Sequence, residues 1–380
     1  QSGVHCFINP TSFMKRDYGE AIRKYICKNF LINQIIDFAD AQVFDTALTY
    51  TGIFIFQKNQ IFNKSYNFEY QKFISGEEVD DSNKFESIST NYKDVYEVNS
   101  EKLDNQTWKL SFGIKEQMFE KMKSKSLPLE EIVEGIYQGI ATGKDDVFVV
   151  SEDVIDEYNL ERQLLHPFLK GKDIEPYKIN NMNRYVIYPY SQYGEVINEK
   201  ELSSNYPNIY KYLKDNKKNL SGRGYFEKST KLWFELWNQR NLSRFAQEKL
   251  VTLDNACKNS FAYDNDNFLG TTTVYSIILK DKYKKKIKSI LGILNSKLLT
   301  FYHQNNTVPQ AGGFYRYQAL FIKDLPICIP ENTDIDKLVN EMMNYKINNK
   351  DTKDLETRIN TYVYELYGLT EEEIAIVEGK

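Results

Sequence analysis

The sequence predicts three parts in order: an α/β beginning, a mixed α+β middle and a short helical tail. Three observations carry this. Residues 1–58 combine one helical stretch with apolar, β-rich runs. Residues 126–330 alternate short β-like stretches with loops. Residues 331–380 carry helical stripes with stop and start signals. A chain of 380 residues is long enough for two or three domains with real cores.

In the first part, Phe13, Ile22, Tyr25, Ile26 and Phe30 are spaced to share one face, which predicts a helix over 13–30. Residues 31–38 form a short apolar run suited to a buried strand. Residues 50–56 are nearly uncharged and β-rich, a pattern usual for strands covered on both faces. Residues 59–125 are polar, with short Tyr-, Phe- and Val-containing stretches and Trp108. They read as a connecting region with weak strands.

In the middle, strands are predicted over 147–150, 185–188, 249–253 and 273–279. A helix follows, because Ile287, Ile290, Leu291, Leu294, Leu298 and Phe301 recur at helical spacing. Lys284, Lys285, Lys286, Lys288 and Lys297 turn mostly outward from it. In the tail, Leu355, Ile359, Val363 and Leu366 form a stripe that Gly368 stops. Thr370 and Glu373 have the spacing of a capping box, which opens a new helix.

Charge is divided unevenly. Residues 162–323 hold 26 Lys and Arg against 13 Asp and Glu. Of the chain's 49 and 53, that leaves 23 against 40 elsewhere. The near-neutral total hides a basic middle between acidic flanks. Such a segment fits a polyanion, with nucleic acid the first candidate; a solvated lysine-rich surface is the competing explanation. Cys6, Cys27, Cys257 and Cys328 lie far apart, and with His5, His166 and His303 they form no metal-binding spacing and no disulfide framework. Reduced, buried or inert thiols in a cytoplasm are expected. No run of 18 apolar residues is present, so no membrane partner is expected. Residues 1–5 carry neither an initiator Met nor a signal core, and the apolar pattern begins at Cys6. This predicts a chain entered mid-domain.

Four loops have the chemistry to hold nucleic acid. In 139–146, two glycines allow close approach of backbone to a ligand, and Thr142, Lys144 and Asp145 supply polar groups. Asp145 after Lys144 excludes a P-loop. Lys170 and Lys172 flank Gly171. Lys217, Lys218, Arg223, Lys231 and Arg240 lie in a basic run among Trp233, Phe234 and Trp237, with Lys258 beyond it. The spacing of Trp233 and Trp237 fits a helix and favours the core for both. Finally, Asn305, Gln310, Tyr315 and Arg316 surround Gly312 and Gly313; such side chains can read base edges. Each loop is equally readable as an ordinary polar turn. No NPPY-type tetrapeptide, nuclease pattern or Ser/His/Asp arrangement stands out.

Residues 126–330 resemble the TaqI-like C-terminal specificity domain of adenine-N6 DNA methyltransferases. Landmarks occur in order: Leu129-Glu130-Glu131-Ile132, Gly139-Ile140-Ala141-Thr142-Gly143, Val147-Phe148, Leu169-Lys170-Gly171-Lys172-Asp173-Ile174, Trp233-Phe234-Glu235-Leu236, Lys249-Leu250-Val251, Phe261-Ala262-Tyr263-Asp264, Leu294-Asn295-Ser296-Lys297 and Leu325-Pro326-Ile327. Residues 1–58 resemble the end of the Rossmann-like methyltransferase domain through Phe7-Ile8-Asn9-Pro10, Ile35-Ile36-Asp37-Phe38, Val43-Phe44 and residues 52–58. The tail 366–374 is similar to the ends of fused, type IIG restriction–modification enzymes.

The resemblance implies a target-recognition domain at 126–330, a catalytic-domain remnant at 1–58, a connecting region at 59–125 and a helical tail at 331–380. It implies double-stranded DNA and an N-terminal catalytic domain of the same polypeptide as partners. S-adenosylmethionine would serve the parent enzyme, without a site in this chain, and Mg2+ only a parent with a nuclease. The family flips the target adenine out of the duplex, and Phe56 matches the aromatic that stacks on it. A core Phe on a buried strand is the other reading. Two further functions stay open: a phage-defence methyltransferase without its own nuclease, and a non-catalytic specificity or adaptor subunit.

Overall fold

The computed structural model describes residues 3–39, 43–44, 50–58, 65–72, 94–103, 107–108, 110, 114–180, 183–224, 226 and 228–380. Much of the predicted connecting region lies outside them. The chain divides into two compact units. One comprises residues 1–121, 301–316 and 370–380; the other comprises 122–300 and 317–369.

The first unit is built on a five-stranded sheet. Strand Thr51–Lys58 lies between Val4–Pro10 and Phe30–Asp37 and is antiparallel to both. Asn67–Lys72 then pairs parallel to Phe30–Asp37, and Asp94–Asn99 antiparallel to Asn67–Lys72. The two predicted apolar strands therefore form, and they are interior ones. Phe54, Phe56, Ile32 and Ile35 pack with Phe13, Met14, Ile26 and Trp108 in one core. The edge strand Val4–Pro10 instead exposes Val4, Phe7 and Ile8.

The helix predicted over 13–30 is broken. Ser12–Lys15 and Glu20–Asn29 are separate helices. The buried Arg23 guanidinium donates to the carbonyls of Phe13 (2.6 Å) and Arg16 (2.7 Å) and so holds the turn between them. A Cβ at Gly19 would lie 2.0 Å from the Phe13 carbonyl oxygen, so only glycine passes there. Ile22 and Tyr25 are 42% and 60% exposed, leaving Phe13 and Ile26 as the buried part of the expected face.

His303, also in this unit, is buried with Nε2 2.9 Å from the Arg316 carbonyl oxygen. Burial pushes its pKa down to about 4. The unfolded chain, with a value near the ordinary one of about 6.5, then binds more protons than the folded chain below that pH. Stability falls as pH drops from about 6.5 and levels off near 4, a loss of about 3 kcal/mol. Denaturant unfolding at pH 7 and pH 4.5 checks this, since His303→Gln should flatten that part of the profile.

The second unit holds two four-stranded sheets. In one, Leu269–Gly270, Leu165–Leu169, Arg184–Ile187 and Val149–Ser151 lie side by side. Helices Glu152–Tyr158, Glu199–Asn205, Pro207–Asp215 and Lys217–Ser221 contribute Ile155, Leu202, Ile209, Leu213 and Leu220 to its core. In the other, the order is Phe261–Asp264, Lys249–Leu253, Val274–Leu279 and Val133–Gln138, antiparallel throughout. Three of the four predicted strands appear nearly as expected. The fourth is corrected: Asp145–Phe148 is a helical turn, and only Val149–Ser151 is strand. The long helix predicted from Ile287 is likewise two, Ile287–Leu294 and Lys297–Asn306. A Cβ at Gly292 would meet Val339 Cγ2 at 2.7 Å, so this glycine sets the close packing against helix Asp334–Ile347.

In the tail, Gly368 is left-handed (φ 68°) and closes helix Lys353–Tyr367. The Thr370–Glu373 capping box is formed, and Glu373 also pairs with Lys121 at 2.7 Å. None of the four cysteines is in a disulfide, and Cys6 and Cys257 are exposed.

Candidate functional site

Three loops of the second unit meet around one open pocket of about 410 Å³, lined by residues 140–145, Lys170 and residues 271–273. Backbone pairing brings them together. Ile140 N donates to Gly270 O (2.8 Å), Thr271 N to Leu169 O (2.9 Å), and Gly139 N to Val274 O (3.0 Å). A Cβ at Gly139 would sit 2.1 Å from the Gly270 carbonyl oxygen, which explains the first glycine of the loop. Gly143 has φ 76°, which explains the second. On another flank, Ala141 and Asn238 exchange backbone hydrogen bonds (3.0 and 2.9 Å), so the Trp-containing segment borders the same loop.

A polar network fixes the side chains. Thr142, 2% exposed, donates its hydroxyl to Asp145 Oδ1 (2.5 Å) and accepts from Lys144 N (3.2 Å). Lys170 Nζ donates to Asp145 Oδ2 (3.0 Å). Lys144 Nζ is 3.2 Å from Asp146 Oδ2. The Lys170 backbone N–H donates to the buried Asp173 (2.7 Å), which also binds Arg184, and this anchors the turn from which Lys172 projects exposed. Gly171 N donates to Thr273 Oγ1 (3.3 Å), itself 2.7 Å from Thr271 Oγ1. Half-buried Arg240 donates from Nε to Gln138 O (3.1 Å) and from Nη1 to Asn238 Oδ1 (2.6 Å); burial holds its pKa below the usual arginine value. Thr142, Lys144, Asp145 and Lys170 thus line one pocket, and Arg240 is tied to its edge through Gln138, whose Nε2 donates to the Thr272 carbonyl (2.8 Å). Thr271, Thr272, Gln138 and Asn238 were not expected here; only the Thr-Thr-Thr run ahead of an apolar strand could have signalled any of them.

Other expected positions lie elsewhere or have other duties. Arg223 is 5% exposed, and its guanidinium donates to the carbonyls of Leu220 (2.7 Å), Trp233 (2.8 Å), Glu235 (3.0 Å) and Thr142 (3.3 Å). It is a strut beneath the loop, and the expectation that it grips a polyanion is corrected: a buried arginine committed to carbonyls offers nothing to a phosphate. Lys217 and Lys218 are exposed, with Lys217 Nζ 4.8 Å above the Trp233 ring. Lys231 is 3.5 Å from Glu235. Lys258 is exposed. The expected helical Trp pair is also corrected. Residues 231–240 form turns, Phe234 and Leu236 are the buried apolar side chains, and Trp237 is 39% exposed.

Asn305, Gln310, Tyr315 and Arg316 belong to the first unit. Pro309–Gln310 and Phe314–Arg316 form a hairpin whose turn holds Gly312 and Gly313 at φ 80° and 75°. The Gln310 amide oxygen accepts from the Arg316 guanidinium (Nη2, 3.0 Å). Asn305 donates to the Phe301 carbonyl within its helix (2.9 Å). Phe56 is 2% exposed, its ring 5.5 Å from that of Phe7 and 6.0 Å from that of Phe54. The stacking role expected of it is corrected, because a ring enclosed in the core presents no face to a base.

Residues 166–327 match the family of TaqI-like C-terminal specificity domains. That part of the chain is similar to such specificity domains. Residues 1–44 match the Eco57I restriction-modification methylase family. The chain is similar to the type II restriction enzyme and methyltransferase RM.Eco57I of Escherichia coli, 27% identical over 78% of this chain and 32% of that protein. It is also similar to the type II methyltransferase M.BstVI of Geobacillus stearothermophilus, 22% identical over 100% of this chain and 66% of that one. The chain therefore spans 32% and 66% of the length of these two relatives. The fold is shared with the Type IIL restriction-modification enzyme MmeI, solved in complex with DNA (TM-score 0.59, 11% identity, 99% of this chain and 49% of that one). Within the matched residues 166–327 lie Lys170, Lys172 and all three pocket threonines 271–273; Thr142 and Asp145 come from the segment just before them.

Proposed function

We propose that this chain recognises a specific sequence in double-stranded DNA, as part of an S-adenosylmethionine-dependent adenine-N6 DNA methyltransferase of a bacterial restriction–modification system. The match of residues 166–327 to a specificity domain carries the reading. Those limits nearly coincide with the basic segment 162–323, and nucleic-acid backbones are held by such excess charge. The first unit supports the companion reading of a methyltransferase-domain end: Val4–Pro10 and Phe30–Asp37 run parallel with one antiparallel strand between them.

No group of three or more His, Cys, Asp or Glu among the described residues could hold a metal ion. S-adenosylmethionine would supply the methyl group in the complete enzyme, and an N-terminal catalytic domain would hold it. Among the described residues no helix is long and apolar enough to cross a membrane.

A salt titration of affinity for a labelled duplex tests the grip. The logarithm of the affinity should fall linearly with that of salt concentration, with a slope steeper than about −3. The double variant Lys217→Ala/Lys218→Ala should shallow the slope by about 2, one for each phosphate that no longer meets a lysine. Affinity indifferent to salt would contradict the reading.

A further inference from the structure

The geometry points to Asp145, with Lys170, as the reader of one C·G base pair through the major groove. This rests on the DNA reading above and deepens it. Asp145 lines the pocket, and its carboxylate is held on both oxygens, by the Thr142 hydroxyl at 2.5 Å and by Lys170 Nζ at 3.0 Å. Buried Thr142 fixes the position of that carboxylate, and the Asp173 anchor fixes the Lys170 backbone. Two properties follow.

First, the pair is unsuited to a phosphate. The carboxylate would repel it, and the nearby Lys170 already shares its charge with Asp145. Second, each carboxylate oxygen keeps a lone pair and the ammonium keeps further hydrogens, so the pocket presents an acceptor beside a donor. A major-groove edge that complements this offers an amino donor beside an acceptor. In a C·G pair these are cytosine N4–H and guanine O6. Adenine offers N6–H beside N7, but aspartate is the usual partner of cytosine N4 and lysine of guanine O6 and N7. Asp146 is more exposed and paired to Lys144 alone, so it lacks this second anchoring.

The test uses the whole 380-residue chain and the duplex it enriches from a randomised pool. Each cytosine of that duplex is replaced in turn by 2-pyrimidinone, which lacks the exocyclic amino group. Wild type should lose roughly tenfold or more in affinity at one position. Asp145→Asn should bind the parent duplex more weakly and lose nothing further at that position, whereas Asp146→Asn should behave as wild type. Circular dichroism establishes that each variant is folded. If Asp145→Asn shows the same loss on replacement as wild type, or if no cytosine matters to wild type, the assignment is overturned. A loss on replacing an adenine by purine, which also lacks the amino group, that Asp145→Asn abolishes would make Asp145 an adenine reader and equally overturn the assignment. A wild type that enriches no sequence at all refutes the DNA reading itself, a distinct outcome.

Discussion

Lys249→Met should lower the unfolding free energy of the chain by about 3–5 kcal/mol. Lys249 and Asp264 face each other across adjacent strands, both side chains fully buried, with Nζ 2.6 Å from Oδ2. The lysine also donates to the Phe245 carbonyl (2.8 Å), and Asp264 Oδ1 accepts from the backbone N–H of Asp266 (2.9 Å). Burial pushes the lysine pKa down and the aspartate pKa up, and each partner opposes the shift of the other. Without the lysine, a charged carboxylate is left in the core. The aspartate pKa then rises further above its unfolded value. The folded state gains affinity for a proton, so stability recovers as pH falls through the raised pKa. Lys249→Met should thus be most damaging near neutral pH and milder in acid. The double variant Lys249→Met/Asp264→Leu should regain most of the loss, since an apolar pair of similar volume is tolerated where an ion pair stood. Urea unfolding of the single and double variants at pH 7 and pH 5 measures this. A single variant within about 1 kcal/mol of wild type would show that the pair is not buried as described.

The second large effect falls on Arg223. Truncation to alanine strands the carbonyls of Leu220, Trp233, Glu235 and Thr142, and removes a guanidinium packed 3.5 Å over the Phe226 ring. Hydrogen bonds from a charged donor are worth roughly 1.5–3 kcal/mol each, and unmade ones leave buried acceptors unsatisfied, so a loss of about 3 kcal/mol or more is expected. Arg223→Lys should rescue little, because one ammonium cannot span carbonyls placed for a planar fork. Since the Thr142 carbonyl is one of the four, the variant should also weaken duplex binding without changing the salt slope. A shallower slope would mean that Arg223 touches phosphate after all. Denaturant unfolding and the salt titration, performed on one preparation, separate the two.

These two residues also mark where sequence reading stops. The strands Lys249–Leu253 and Val274–Leu279 were legible from apolar, β-branched runs, and the Thr370–Glu373 cap from spacing alone. Those signals are local. The Lys249–Asp264 pair exists only once the register of two strands is known. Lysine and arginine also read by default as surface cations, since they are seldom fully buried; Lys249 and Arg223 are the exceptions. Phe56 resisted for the opposite reason, as an aromatic on an apolar strand looks the same whether it faces a base or the core. Val147–Phe148 became helical because the preceding loop, turned by left-handed Gly143, leads into a helical turn that begins at Asp145. In the pocket, sequence pointed to Thr142, Lys144, Asp145 and Lys170, but not to their convergence. That depends on strand Leu269–Gly270 pairing with Leu165–Leu169, which brings the threonine run 271–273 against them.

The most direct test of the proposed function is selection of duplexes by the chain from a randomised pool, followed by sequencing. One short motif should dominate the recovered DNA, and a duplex carrying the motif should bind on the order of a thousandfold or more tighter than a scrambled one at physiological salt. Recovered sequences indistinguishable from the input pool, with equal affinity for both duplexes, would contradict that function.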